Sequence, residues 1–185
     1  MTTTIHNCQI DEGAKIGKNR NIRSFTIIYP DNIIGDNFTT GHFVLIREGN
    51  RIGKNVIIGT NSVLEGNCKI EDNVVMHSNV QLGEGTIIKE GSWIGPRCVT
   101  LLTPHPRCKH KEKCNKAPII GKNVVVGVGS IIMPGISVGD GAMIGAGSIV
   151  TKNVPAGMLA YGSPAKIIKK VSEIKCRVGE KYEKI

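Results

Sequence analysis

Large aliphatic residues return every six positions along this chain. From Ile10 the series runs through Ile16, Ile22, Ile28, Ile34, Thr40, Ile46, Ile52, Ile58, Leu64, Ile70, Met76, Leu82, Ile88 and Ile94, and only Thr40 breaks it. It stops there and restarts in a new phase at Ile120, followed by Val126, Ile132, Val138, Ile144 and Val150. Two positions before these residues stands a second restricted site, often small: Cys8, Ala14, Thr26, Ser62, Cys68, Thr86, Ser92, Cys98, Ser130, Ala142 and Ser148. Gly often follows the aliphatic, as at Gly17, Gly35, Gly53, Gly59, Gly83, Gly95, Gly121, Gly127, Gly139 and Gly145. A helix has no use for a period of six, and plain strand alternation would give two. The pattern predicts a short strand, a bend marked by Gly, and another short strand, repeated. Three strands and three bends close one coil of about eighteen residues, with the aliphatics inside and successive coils joined by parallel backbone hydrogen bonds. About seven coils follow, stacked roughly 34 Å tall at the usual strand spacing.

The interruption between Ile94 and Ile120 sets apart Leu101–Pro118, predicted to leave the prism as an extruded loop. Its first fourteen residues, "LLTPHPRCKHKEKC", gather histidines, cysteines and cations found together nowhere else in the chain. The expected division is a prism over residues 1–157 and an exit segment with a short C-terminal helix over 158–185.

Composition narrows the picture. At 185 residues, 40% apolar but only 4% aromatic, the chain is one domain whose core is built from small branched side chains. The N-terminus lacks the basic and apolar regions of a signal peptide, and no apolar run reaches the ~18–20 residues of a membrane span. A soluble cytoplasmic protein with no membrane partner is expected, with its six cysteines kept reduced. The net charge of +9 calls for an anionic ligand. The lysines are dispersed and not interleaved with aromatics, which argues against nucleic acid.

The repeat resembles the left-handed parallel β-helix of the hexapeptide-repeat acyltransferases. The stretch "IGAGSIVTKNVP" followed by "GSPAKII" is similar to the C-terminal signature of the acetyltransferases in that superfamily, and "TTGHFVLIREGNRIGKNVIIGTNSVLEGN" looks like the subgroup that acetylates nucleotide-linked amino sugars. The resemblance implies an all-β, left-handed parallel β-helix and an acetyl-CoA-dependent acetyltransferase with no metal. It also implies a homotrimer with one cleft between each pair of subunits. The acceptor would be an amino or hydroxyl group of a sugar, most closely a nucleotide-linked amino sugar. Lys152 and Lys166 fall at positions that meet coenzyme A in the family, and Gly127, Gly145 and Ala146 would leave the backbone open to its pantetheine arm. Simple bend geometry also accounts for the glycines.

An acetyl thioester is already activated, so the protein must position an acceptor and take a proton. Histidine suits the second task. His105 stands in "TPHPR", and a loop at this point carries the general base in a His-Pro context in the O-acetyltransferases of the superfamily. In the N-acetyltransferases the corresponding stretch holds Asn-Asp, and here it does not. His77 takes a bend position usually held by Gly, with Gly59 and Gly95 eighteen residues to either side, and is the second candidate. His42, beside the Thr40 break, fits an acceptor contact, a subunit contact or plain surface. Arg107 and the loop lysines could meet phosphates or be a solvated loop. His6 reads as surface. Cys8, Cys68 and Cys98 read as small inward residues. Cys108 and Cys114 could form a disulfide, share a metal with His105 and His110, or stay free. Other readings on this fold are a γ-type carbonic anhydrase, which needs histidines on regular coils, and a non-catalytic scaffold.

Overall fold

The structure, a computed structural model, describes residues 4, 5, 7–175 and 178. Its unit is a two-residue strand. Twenty-three of these follow one another from Thr4–Ile5 to Ile149–Val150. Every third strand pairs in parallel, which builds three flat faces. Face A runs through Asn21–Ile22, Thr39–Thr40, Ile57–Ile58, Val75–Met76, Trp93–Ile94, Val125–Val126 and Met143–Ile144. Face B runs from Gln9–Ile10 to Ile149–Val150, and face C from Lys15–Ile16 to Ser137–Val138. The result is the left-handed parallel β-helix expected, close to eight turns rather than seven. The strands added to the hexad series are Thr4–Ile5 and Val99–Thr100. Thr100 is inward and 5% exposed, so the repeat runs one step past Ile94.

Register confirms the coil. Ile58 pairs with Met76, eighteen residues on. Across the loop, Ile88 pairs with Ile120, Ile94 with Val126 and Thr100 with Ile132, each thirty-two residues on. The fourteen-residue excess is the length of chain that leaves the prism. It does so between Thr100 and Ile119 and contains one helical turn, Lys111–Cys114.

The second residue of each strand, from Ile22 to Val150, is buried, as are Val44, Val56, Cys68, Val74, Val80, Cys98 and Ala142 at the restricted position before it. Where an inward residue is polar, a neighbouring turn answers it, as burial requires. Thr40, the break in the series, shares a hydrogen bond with Thr26 and accepts the Arg23 amide at 3.1 Å. Asn50 donates to the Arg47 carbonyl at 2.6 Å, accepts the Cys68 amide at 2.8 Å, and donates its own amide to Asn32 Oδ1.

Nearly every bend places one residue in the left-handed region, which costs an ordinary side chain about 1–2 kcal/mol and suits Asn and Gly. Nine of the thirteen non-glycine cases are Asn. Asn19, Asn37, Asn55 and Asn73 form a ladder along one corner, each amide donating to the next. Gly35, Gly53 and Gly127 lie outside the left-handed region, and their reason is space. A Cβ there would lie under 3 Å from the backbone of the next turn.

The described part of the exit segment forms a hairpin, Met158–Gly162 against Ala165–Lys170, ending in a 3-10 turn at Val171–Glu173; the short helix expected after it falls largely outside the described residues. Leu159 and Ala160 pair in parallel with Met143 and Ile144 and satisfy the open end of face A, which a helix could not do. Residues after Lys175, except Val178, lie outside the described residues.

Candidate functional site

Each corner of the prism has a different chemistry. The AB corner stacks the bend residues that follow face A. Its first column is Gly41, Gly59, His77, Gly95, Gly127 and Gly145, with Tyr161 standing over Gly145. The adjacent column holds His42, Thr60, Ser78, Pro96, Val128 and Ala146, and the left-handed column Phe25, Phe43, Asn61, Asn79, Arg97, Gly129 and Gly147. His42, His77, Gly127, Gly145 and Ala146, predicted from separate arguments, thus share one edge.

His77 is exposed there because its neighbours above and below lack side chains. Its ring rests against Trp93, the first residue of the next face A strand. Its backbone carbonyl accepts the Ser62 hydroxyl at 3.1 Å, which ties the bend to the core. For Gly127 and Gly145 the stacking of turns is sufficient cause. A Cβ would come to 2.5 Å from the Ala146 amide nitrogen at the first and 2.7 Å from Tyr161 Cβ at the second.

The BC corner carries the loop. Its two ends meet where Lys116 donates its amide to the Leu102 carbonyl, and Gly135 of the next turn donates to the Lys116 carbonyl. His105 and Arg107 are exposed on the loop, among Lys109, Lys111, Lys113 and Lys116. The tight turn that places them is closed by Cys108 donating its amide to the His105 carbonyl at 3.0 Å. Lys152 lies above this corner. With Lys166 of the hairpin it lines a groove of about 320 Å³, together with Thr151, Asn153, Ala165 and Ile167. The two lysines predicted to meet phosphate therefore converge.

Other predicted groups do not converge. No hydrogen bond, ion pair or ring contact joins His105 to His77 or His42 among the described residues. The loop is rooted at one edge of face B and the two histidines at the other. Arg107 and His42 are separated in the same way.

Charge follows the same division. Acidic side chains occupy the bends of the BC corner (Asp11, Glu12, Asp31, Glu48, Glu65, Glu84) and the CA corner (Asp36, Glu71, Asp72, Glu90, Asp140). Among the described residues the AB corner has none, and it carries Arg23 and Arg97. It is the edge of the prism suited to an anionic ligand.

The cysteines behave as two classes. Cys68 and Cys98 are buried, and burial pushes the Cys68 thiol up to about 12 and raises that of Cys98. Cys8 is half-buried. Cys108 and Cys114 are free thiols and partly exposed, and no group of three metal-ligating side chains occurs among the described residues. His6 and Cys176 lie outside those residues. No helix of the described residues is long and apolar enough to cross a membrane.

Sequence reasoning did not single out Trp93 or the stacked pair Phe25 and Phe43. The signal was present for the pair, since the two lie eighteen residues apart at bend positions, one coil above the other.

Two family models match the prism on either side of the loop. One, described as the bacterial transferase hexapeptide (six repeats), covers residues 61–96, and the other, the hexapeptide repeat of succinyl-transferase, covers residues 119–152. A 2,3,4,5-tetrahydropyridine-2,6-dicarboxylate N-acetyltransferase from Staphylococcus aureus is 45% identical over 56 residues. The match takes in 30% of this chain and 23% of that protein, so it spans under a quarter of the curated relative's length. Among solved structures, an N-acyltransferase from Bacillus cereus in complex with dTDP and coenzyme A superposes with a TM-score of 0.59 at 20% identity, covering 84% of this chain and 83% of the other. A UDP-N-acetylglucosamine acyltransferase from Campylobacter jejuni gives a TM-score of 0.59 at 18% identity, covering 91% and 75%. At such identities these structures speak to the fold. The two models, both of hexapeptide-repeat transferases, thus match consecutive parts of one solenoid, on either side of the loop.

Proposed function

We propose that this protein is an acetyl-CoA-dependent acetyltransferase acting on an amino or hydroxyl group of a sugar, a nucleotide-linked amino sugar being the acceptor that fits best. The observation that carries the reading is the division of the candidate machinery between two edges. His77, the glycine column and the carboxylate-free AB corner stand on one side of face B, and the His105 loop on the other. A homotrimer brings the loop of one subunit to the AB corner of the next. The outward residues of faces A and B support such packing. Ile57, Val75, Trp93, Val125 and Met143 on A, and Ile27, Leu45, Val63, Val99, Ile131 and Ile149 on B, broken by Gln81, make two largely apolar rows, while face C mixes Lys15, Arg51 and Lys69 with Ile33, Ile87 and Ile119.

In this site coenzyme A lies toward the upper end of the AB corner, passing Gly127, Gly145 and Ala146, with its phosphates near Lys152 and Lys166. The acceptor enters between His77 and the partner's loop. His105 takes the proton as the acceptor nitrogen or oxygen attacks the thioester carbonyl, and the thiolate of coenzyme A leaves. His77 orients the acceptor, and Arg107 and His42 contact its distal part. The supply of acetyl-CoA makes the cytoplasm the working compartment. The partial match to a tetrahydropyridine-dicarboxylate N-acetyltransferase supports a non-sugar acceptor as the second reading, and a substrate screen decides between the classes.

The test is subunit mixing. His105→Ala homotrimers are expected to lose acetyl transfer to an amino-sugar nucleotide, read as thiol release, and His77→Ala homotrimers to keep about a tenth of it, while both still bind coenzyme A. Equal mixing after unfolding and refolding should restore activity at about a quarter of the sites, because each site then draws one intact group from each parent. No restoration, or near wild-type kinetics of His105→Ala, sinks the reading.

A further inference from the structure

Low on the AB corner two phenyl rings are stacked in the open. The Phe25 and Phe43 centroids lie 4.9 Å apart with planes 11° from parallel, and each residue is 55% exposed. Both backbones are left-handed, with φ of 65° and 56°. Other left-handed bend residues of this corner are Asn, Arg or Gly, and among the described residues these are the only aromatics in that conformation. A bulky side chain kept at a strained bend, where Asn would serve, implies a task outside folding.

The surroundings indicate what kind of task. At this height the outer residues of face A are Asn21 and Thr39, not the apolar row that begins at Ile57. The stack is therefore set apart from the packing row of face A, while on its other side it borders Ile27 and Leu45 of face B. Around it stand Arg23, His42, Thr60 and Asn61, and the Thr60 hydroxyl accepts the His42 amide at 3.2 Å. No carboxylate lies on this corner. An exposed aromatic face beside cations, hydroxyls and amides matches a planar heteroaromatic ring that carries phosphate. His77 stands two turns above Phe43, about 10 Å at the usual strand spacing. That span separates the base of a nucleoside-diphosphate sugar from its sugar amine to within a few ångströms.

We infer that Phe43, supported by Phe25, is the platform for the nucleobase of a nucleoside-diphosphate-linked acceptor. The diphosphate then crosses Thr60 and Asn61, and the sugar reaches His77. This rests on the acetyltransferase reading above and specifies its acceptor. The adenine of coenzyme A has the same ring chemistry, but the groups suited to coenzyme A, Gly127 to Lys166, lie at the upper end of the prism.

The experiment uses Phe43→Asn, since Asn tolerates the left-handed bend and the variant keeps its fold. Binding of uridine, thymidine and guanosine 5′-diphosphates, and of coenzyme A, is measured by calorimetry on wild type and variant, with oligomeric state by light scattering. The wild type should bind at least one of the diphosphates. Phe43→Asn should weaken that binding tenfold or more, with coenzyme A affinity and assembly unchanged. Three results overturn the inference. Wild type may bind no diphosphate or the variant bind it equally well; coenzyme A affinity alone may fall, which assigns the ring to adenine; or the assembly may dissociate, which assigns the stack to a subunit contact. Failure of the acetyltransferase reading looks different: no acceptor then releases thiol, whatever the diphosphates do.

Discussion

The imidazole of His77 lies against the indole of Trp93, ring centroids 4.7 Å apart and planes inclined by 57°. Trp93 is the only tryptophan in the chain, so its emission reports on this corner alone. A ligand arriving beside His77 should change that emission, and the change should be altered in His77→Ala. The same variant should lose about tenfold in kcat/KM, because an orienting contact is weaker than a proton acceptor. Its affinity for coenzyme A should stay within twofold. Steady-state kinetics and fluorescence titration check both, and wild-type values in both would make His77 an ordinary corner residue.

Lys152 and Lys166 come from different parts of the fold, a bend and a hairpin strand, yet line one groove. If they hold phosphate, each acts chiefly through charge. Lys152→Ala and Lys166→Ala should each raise the Kd of coenzyme A about tenfold, and the double variant should show a shallower salt dependence. Affinity for dephospho-coenzyme A should fall less than for coenzyme A if either lysine meets the 3′-phosphate. Calorimetry at two ionic strengths decides.

Asn50 holds three hydrogen bonds inside the prism and is fully buried. Asn50→Leu keeps most of the volume but leaves the Cys68 amide without its side-chain partner and takes one of two side-chain donors from the Arg47 carbonyl, Asn32 being the other. The cost should be about 2–4 kcal/mol, since unsatisfied buried groups cost more than a hydrogen bond contributes. The midpoint of a urea transition checks it. Asn32→Leu should cost a similar amount, and the double variant more than the sum, because Asn32 and Asn50 both donate to the Arg47 carbonyl, which keeps one of these donors in each single variant and neither in the double.

The fold was legible because packing in this architecture is periodic: a single inward rule at every sixth residue fixes strand, face and register. Legibility failed where polarity hid the rule. Thr100 is inward, but its hydroxyl pairs with Thr86 at 2.8 Å and accepts the Gly83 amide, so a count of aliphatics stops one step early. The hairpin failed for another reason. Lys166–Lys170 is a strand because face A ends there with open backbone groups, which is a property of the whole sheet and not of the local sequence. The site was half legible. The modulus of eighteen places His77 between Gly59 and Gly95 and sets His42 beside Gly41 on the same edge, while Gly127 and Gly145 join them only once the fourteen-residue excess of the loop is subtracted, which the register supplies. Where the tip of a fourteen-residue insertion goes is set by no period, so the relation of His105 to that edge depends on the neighbouring subunit in the proposed trimer.

The thiols provide the last test, and the pH dependence has a definite sign. In the folded protein the Cys68 thiol titrates at about 12 against an ordinary value of 9.0, because burial disfavours the thiolate. Below pH 9 both folded and unfolded chains keep this proton, and the contribution to stability is complete. Between 9 and about 12 the unfolded chain loses the proton first, so stability falls as pH rises. Urea midpoints should decline over that window, and Cys68→Val, which removes the group, should decline less. Reactivity follows from the same burial. Under native conditions at pH 8, iodoacetamide should label Cys108 and Cys114, which stand partly exposed among loop lysines, and leave Cys68 and Cys98 unmodified until the prism is unfolded. Peptide mapping by mass spectrometry reads this directly. Protection of Cys108 and Cys114 that is lifted by a reductant would establish a disulfide, and protection lifted by a chelator a metal; labelling without either treatment establishes free thiols on the loop.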